Sequence, residues 1–375
     1  MKRFIFITDH KFPKSDAASK YMENIVCLTR EAYGTVPIII VCRSNESEST
    51  YVENSIIYSI QSDSKVAYFK LAFKQIQKLK LDDFDIVFNL MGKTENLLWL
   101  YIYLYKYKNK TISNFVEHFN REYFGEGIKG YFFYLRDAIG YLIRNKYNNA
   151  LAVSNYLMNS VKSNNVLCMP PLCRAPIEYE KKEWDNLRFI YPGADLNKDR
   201  IDSMIKAFLM IKKIRPEVEL HLTGVKNKIS DLLEKNSLKI NKSDNVFIYD
   251  WLSEEKYVEL LSKMDFTIII REKNQVTYAN FPSKIPVLMA KGIIPVVSDV
   301  GDYTKYYLKN NYNSFVIDGA SPEVFAREIL RIVSLPEYQL ELLHKNAWET
   351  AKNEFEIVNW KERFCQFIAS VDNMK

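Results

Sequence analysis

Residues 187–208 read LRFIYPGADLNKDRIDSMIKAF, and they carry the plan of the fold in miniature. Leu187–Tyr191 is a short apolar run, Gly193 interrupts it, and from Ile201 to Ile214 the apolar residues return at helical spacing. A strand covered on both faces shows no polar alternation, whereas a helix packed on one side repeats its apolar residues three and four apart. Downstream the same unit recurs, with strands at Glu219–Thr223, Val246–Tyr249, Phe266–Arg271, Ile294–Ser298 and Ser314–Ile317. Helices are predicted at Ile229–Leu238, Glu254–Lys263, Ser283–Lys291, Pro322–Ser334 and Tyr338–Phe355, with a closing segment Trp360–Val371. Upstream, strands Phe4–Thr8, Val36–Cys42, Ile86–Leu90, Thr111–Glu117 and Ala150–Ser154 alternate with helices Ala17–Glu31, Ser64–Leu79, Glu95–Tyr107 and Tyr131–Tyr147. Such alternation predicts parallel sheets with helices on both faces.

Between the two halves, MPPLCRAPIEYEKKEW (169–184) has three prolines and then a charge run, the signature of a linker. At 375 residues the chain is long for one core and comfortable for two. The expected fold is α/β, two Rossmann-like doubly wound parallel-sheet domains facing a cleft. The expected bounds are 1–172 for the first domain, 173–186 for the linker, 187–355 for the second domain and 356–375 for a C-terminal helix returning to the first. In sheets of this kind ligands bind beyond the carboxyl ends of the strands.

A net charge of +6 is mild and forms no basic tail, so nucleic acid is not an expected partner, while an anionic membrane surface or a phosphorylated substrate is. The five cysteines are odd in number and have no C-x-x-C spacing, and the four histidines are scattered, so no metal cluster is expected and the setting reads as reduced and cytosolic. MKRFIFITDHKF has only a short apolar run before Asp9, a buried first strand and not a signal peptide. Leu97–Tyr105 is the longest aromatic-apolar stretch and falls well short of the ~20 residues that span a bilayer. The stretches LLWLYIYLYKYKNK (97–110) and GYFFYLRDAIGYLIRNKY (130–147) mix Tyr and Phe with Lys and Arg at helical spacing. Two readings are open for them: a helix face lying on lipid, or aromatics in the core with the cations solvated. Asp83 and Asp85 form the one D-x-D, but it sits just before a strand and reads as structural, not as a metal site.

Several segments resemble, in order, the family 4 glycosyltransferases of the GT-B fold, especially those of bacterial surface-polysaccharide clusters. YPGADLNKDRIDSMIKAF is similar to the strand, glycine loop and helix that open the donor domain, and ELHLTG to its second strand. YDWLSEEKYVELLSKMDFTIIIR and NFPSKIPVLMAKGIIPVVSDVGDY resemble the run ending in an aspartate and a strand, and the signature helix with the strand after it. In the first half, SDAASKYMENI, ALAVSNYL and MPP resemble the first loop and helix and the exit from the acceptor domain. The resemblance implies a cytoplasmic enzyme, peripheral at the inner face of the cytoplasmic membrane, that moves a sugar with retention from a nucleotide-sugar to a lipid-linked or glycan acceptor. It implies no metal and no cofactor, since cations and helix N-termini meet the diphosphate charge.

By the same resemblance, Lys198 is the phosphate lysine of the Gly193 loop, with Arg200 beside it, although Ala194 stands where the family often has an arginine. Asn280, Phe281, Ser283 and Lys284 open the helix aimed at the donor phosphates, with capping by Ser283 as the plainer reading. Gly224 and Asp250–Leu252 fall in the base-binding loops. The family carries two glutamates separated by seven residues; here those positions are Ala279 and Val287. Glu272, just after Arg271, is the candidate replacement for the ribose carboxylate, or else a solvated loop residue. FVEHFNREYF (115–124) sets Glu117, His118 and Glu122 at a strand end. His118 is the first catalytic candidate and Glu117 the second, with His10, Lys14 and Glu122 on the acceptor side. Loss of the glutamate pair leaves a second function open, a catalytically inactive GT-B binding partner of another transferase.

Overall fold

Runs without polar alternation become the central strands of two sheets, and runs with half-polar alternation become their margins. The computed structural model describes residues 2–373 except 13–16, 35–37, 45–48, 53–54, 62–64, 93, 183, 185–186, 194–197, 225 and 242–243. The chain divides into two units, residues 1–172 with 357–375, and residues 173–356.

The first unit runs β1 (Phe4–Lys11), α1 (Ala17–Tyr33), β2 (Ile38–Ser44), β3 (Ser49–Val52), β4 (Ser55–Gln61), α2 (Lys65–Leu79), β5 (Ile86–Asn89), α3 (Thr94–Leu104), β6 (Thr111–Phe115), α4 (Gly127–Arg144), β7 (Asn149–Ala152), α5 (Asn155–Ser160) and β8 (Asn165–Cys168). Its sheet has the order β3-β4-β2-β1-β5-β6-β7-β8, parallel throughout except that β3 pairs antiparallel with β4. The strand period of two sorts β1 cleanly: Phe4 and Phe6 enter the core on one face, Ile5 and Ile7 the core on the other. The β3–β4 hairpin, α5 and β8 have no counterpart in the sequence reading. In β4 only alternate residues such as Ser55 and Ile57 are buried, so this margin strand lacks the continuous apolar signal of β2.

The second unit runs β9 (Arg188–Pro192), α6 (Ile201–Ile211), β10 (Glu219–Thr223), α7 (Lys226–Lys235), β11 (Val246–Ile248), α8 (Glu254–Ser262), β12 (Phe266–Ile269), α9 (Gln275–Ala279), α10 (Lys284–Met289), β13 (Ile294–Ser298), β14 (Phe315–Ile317), α11 (Pro322–Ile332) and α12 (Glu337–Thr350). All six strands are parallel in the order β11-β10-β9-β12-β13-β14. The order reverses between β9 and β12, so the loops leaving these two strands turn to opposite faces and open a crevice between them. After the second unit, α13 (Lys361–Asp372) lays Phe364, Phe367, Ile368 and Val371 into the core of the first, with Phe364 stacked 6.3 Å from Phe88.

The single helix expected at Ser283–Lys291 is shorter. Pro286 has no N–H to donate, and α10 begins only at Lys284, while a separate turn of helix, α9, precedes it. The turn after α10 ends at Gly292, whose φ of +75° is left-handed, and a Cβ there would stand 2.3 Å from His344 Nε2. His344 in turn faces the Tyr179 hydroxyl at 2.8 Å, and Tyr179 and Trp184 both donate to Glu341, which fastens the 179–184 segment onto α12. Burial, with Lys182 nearby, lowers the His344 imidazole to about 4.

Gly292→Ala should therefore destabilise the protein by about 2 kcal/mol or more, from backbone strain plus overpacking, read as a lower urea midpoint. Stability of the native chain should also fall as pH drops from about 6.5 to about 4, since the unfolded chain takes up the proton first. His344→Gln should flatten that slope; an unchanged slope would count against the buried neutral ring.

Candidate functional site

The crevice of the second unit is built around a buried ion pair. Asp199, in the loop after β9, and Arg271, after β12, are both almost fully buried, and Arg271 Nε donates to Asp199 Oδ1 at 2.5 Å. The Tyr191 hydroxyl donates to the other oxygen, Oδ2, at 2.7 Å, and Arg271 donates a further bond to Asn280 Oδ1 at 2.9 Å. Gly193 makes this arrangement possible: a Cβ there would lie 2.6 Å from the Tyr191 hydroxyl. Burial opposes the Arg271 charge, but Asp199 more than offsets it and holds the guanidinium above its ordinary value.

Lys284 opens α10 beside this pair. Burial pushes its ammonium down to about 8, against the opposing pull of Asp199. Among the described residues Lys284 has no hydrogen bond or ion pair, and Asp199 already serves Arg271 and Tyr191. At this pair two cations among the described residues, Arg271 and Lys284, thus meet the carboxylate of Asp199, the electrostatic condition of a site that receives an anion.

Other candidates are placed differently from the sequence reading. Arg200 occupies the N-cap position of α6 and makes no cap bond. Arg200 instead grips Asp202 with two bonds of 3.0 Å and also pairs with Glu272, so Glu272 already has a cationic partner. Lys198 is half-buried just ahead of Asp199. Ser283 is the N-cap of α10 but its hydroxyl makes no cap bond, which corrects the capping reading. The Phe281 ring is buried among Tyr303, Tyr307 and Phe355, so it packs and does not face the crevice. Gly224 takes the left-handed φ of +72° at the end of β10. Asp250 accepts from the backbone N–H of Trp251 in the loop after β11, with Leu252 half-buried next to it. Of the two glutamate positions, Ala279 is fully buried and Val287 is 41% exposed on α10. Sequence reasoning missed Tyr191 and Asp199, because a tyrosine in a strand and an aspartate before a helix look like ordinary core and cap.

In the first unit, polar groups gather beyond the carboxyl ends of β1 and β6. His118 is half-buried and stacks on Tyr141 of α4, centroids 4.2 Å apart and planes 12° from parallel. Burial and then the Arg144 charge hold its imidazole below the ordinary value. Burial raises Asp137, with Glu117 adding to the effect and Arg144 opposing it. Asp9 accepts from the Gly92 N–H at 2.9 Å and lies 3.8 Å from His10 Nε2; a Cβ on Gly92 would crowd His10 at 3.0 Å. Glu122 is exposed and accepts from Asn120. Lys14 lies outside the described residues. Asp137, Tyr141 and Arg144 were not singled out in the sequence, although their i, i+4, i+7 spacing on a predicted helix was a usable signal. Asp85, of the D-x-D, accepts from the backbone N–H of Arg3 at the opposite end of the sheet.

Residues 177–349 match the family model for glycosyl transferases group 1. Sucrose-phosphate synthase from Thermosynechococcus elongatus is 13% identical, with a TM-score of 0.71 over 98% of each chain. HepE from Anabaena, solved with UDP and glucose, is 13% identical with a TM-score of 0.70 over 98% of this chain and 100% of that one. The chain shares the GT-B fold of these structures, and its second unit carries the family match. WaaG, a glycosyltransferase involved in lipopolysaccharide biosynthesis, is 12% identical with a TM-score of 0.66 over 97% of this chain and 99% of that one. No curated protein matches this chain in sequence. Among its described residues no helix is long and apolar enough to cross a membrane.

A buried ammonium without a partner opposes folding. Because the folded value of Lys284, about 8, lies below the ordinary 10.5, the unfolded chain binds the proton more tightly between them, and native stability should rise over that pH range. Lys284→Met should accordingly be more stable than the native protein at pH 7, by roughly 1–3 kcal/mol, and the gain should shrink by pH 10. Urea unfolding at the two pH values reads both; a less stable variant would mean that Lys284 is held by structure and not kept for a ligand.

Proposed function

We propose that this protein is a glycosyltransferase of the retaining, family 4 type, and that its second unit binds a nucleotide diphosphate sugar while its first unit receives a lipid-linked or glycan acceptor. The reaction would belong to bacterial surface-polysaccharide assembly at the cytoplasmic face of the membrane. The single observation that carries the reading is Lys284, half-buried and without a hydrogen bond or ion pair among the described residues, beside a charge-compensated Arg271. When the bond from the anomeric carbon to the diphosphate oxygen breaks, negative charge grows on that oxygen, and a cation already stripped of water stabilises it more than it stabilises the intact donor. Lys198 lies one residue before Asp199 and supplies a second cation to the same diphosphate. In this proposal the cations and main-chain N–H groups do this work without a metal or cofactor, and Glu117 and His118 serve the sugar. HepE has been solved with UDP-glucose, which supports a uridine diphosphate sugar as the first donor to test.

A second reading, a binding partner that does not turn over donor, is favoured by the ribose end of the crevice. Val287 has no group to offer a ribose hydroxyl, and Glu272 is paired with Arg200. The two readings part on turnover, so hydrolysis or transfer across uridine, guanosine and cytidine sugars decides between them. Membrane extract supplies the acceptor in that assay.

Contact with the bilayer is part of the same proposal. On α4, Ile128, Tyr131, Phe132, Leu135, Ile139 and Leu142 are exposed along one stripe, Ile128 by 90%, and the neighbouring α3 adds Leu98 and Ile102. Lys129, Arg136 and Lys146 flank the stripe, the pattern of an interfacial helix. The core reading of these aromatics fits Tyr107 and Tyr147, which are buried, but not the stripe.

Calorimetry with UDP should show Lys284→Met binding about tenfold or more weakly than the native chain, ~1.4 kcal/mol, and native affinity should fall as pH rises through about 8. Equal affinity in the two proteins would remove the diphosphate from this crevice. The protein should sediment with anionic vesicles and be released by salt, and Phe132→Asp should lose vesicle binding while keeping UDP binding; salt-insensitive recovery on neutral vesicles would remove the electrostatic part.

A further inference from the structure

We propose that Arg144 and Tyr141, on one face of α4, are positioning residues that fix the His118 ring and keep it uncharged, so that His118 meets its sugar as a neutral hydrogen-bonding group and not as a cation. The proposal rests on the sugar-side reading of His118 given above.

The ring is held by stacking and by little else. Tyr141 lies parallel to it, its hydroxyl is bonded to Ser160 Oγ at 2.9 Å, and its edge abuts Phe115 at 5.3 Å, so the platform itself is tied down on two sides. His118 Nδ1 is buried and has no hydrogen-bond partner among the described residues. A hydrogen-bonded carboxylate at that nitrogen would favour the protonated ring; its absence, with a guanidinium close by, favours the neutral one. The Arg144 guanidinium lies over the Phe115 ring at 5.9 Å, and its own Nε is likewise buried without a partner.

The charged groups around this cluster come from three elements. Arg144 and Asp137 stand on α4, Glu117 follows β6, and Asp9 lies in β1 two residues before its end. Burial holds Arg144 below its ordinary value, and the carboxylates oppose this, Asp137 most strongly, then Asp9 and Glu117. The charge acting on His118 is that of Arg144, in the same sense as burial. The three carboxylates therefore stabilise a cation that would itself repel a second one on the imidazole. In a sugar site the consequence is chemical: a neutral ring donates or accepts a hydrogen bond to a hydroxyl without bringing a charge to it.

The side-chain nitrogen resonances of the four histidines in the full-length protein test this directly, with His118→Gln providing the assignment. In the native chain the His118 signal should titrate below pH 6.5. In Arg144→Met the midpoint should move up by about 0.5 pH or more, whereas Arg144→Lys should stay close to native. Tyr141→Leu should remove the upfield ring-current shift of the His118 ring protons. In an activity assay the neutral ring is the competent form, so the acid limb of kcat/KM should move to higher pH in Arg144→Met. A native midpoint at or above 6.5, or one that Arg144→Met leaves in place, overturns the proposal, and the native measurement stands even if a variant does not fold. Because the titration needs no donor, its failure is separate from failure of the functional reading, which would show as full turnover by His118→Gln.

Discussion

The buried pair between Asp199 and Arg271 is the constraint on which the second unit depends. It joins the loops that leave β9 and β12, the two strands on either side of the reversal in strand order. A buried guanidinium or carboxylate left alone would oppose folding by several kcal/mol, so each residue requires the other, and together they fix how the two loops approach. Tyr191 and Asn280 complete the hydrogen bonding of the pair, and Gly193 keeps the space that Tyr191 needs. Lys284 is then the group in excess. Its placement opposes stability and favours an anion, which is the usual relation between a binding site and the fold that carries it.

The first unit is organised differently. Its cluster has one cation, Arg144, facing several carboxylates, and a histidine whose ring is set by stacking. Such a site orients neutral hydroxyls better than it holds phosphate, because carboxylates accept hydrogen bonds and repel anions. The two units thus differ in charge, a cation-rich crevice in one and a carboxylate-rich cluster in the other.

The parallel-sheet architecture and both sets of core strands were legible in the residues, because strands buried on both faces must be apolar without interruption, as in Phe4–Thr8 and Ile294–Ser298. The β3–β4 hairpin was not legible, since a margin strand buries only alternate residues and resembles a loop in composition. Among the candidate site residues, Gly193, Lys284 and His118 could be named from their places at strand ends and helix starts. Asp199 could not, because its partner Arg271 stands 72 positions away in the chain; Tyr141 and Arg144 left only their spacing on one helix face as a signal.

What the sequence by itself determined is therefore the periodic part of the protein: which segments are strands, which are helices, and that the order repeats twice. Hydrophobic periodicity is a local property, and local properties survive in a linear string. Only the tertiary structure decided which charges are compensated. It set Arg271 on Asp199 across 72 positions, tied Glu272 to Arg200, and left Lys284 with no partner among the described residues. The physical reason is that the energy of a charge depends on the distance to its counter-charge and on the water removed from around it, and neither quantity exists until the chain has folded.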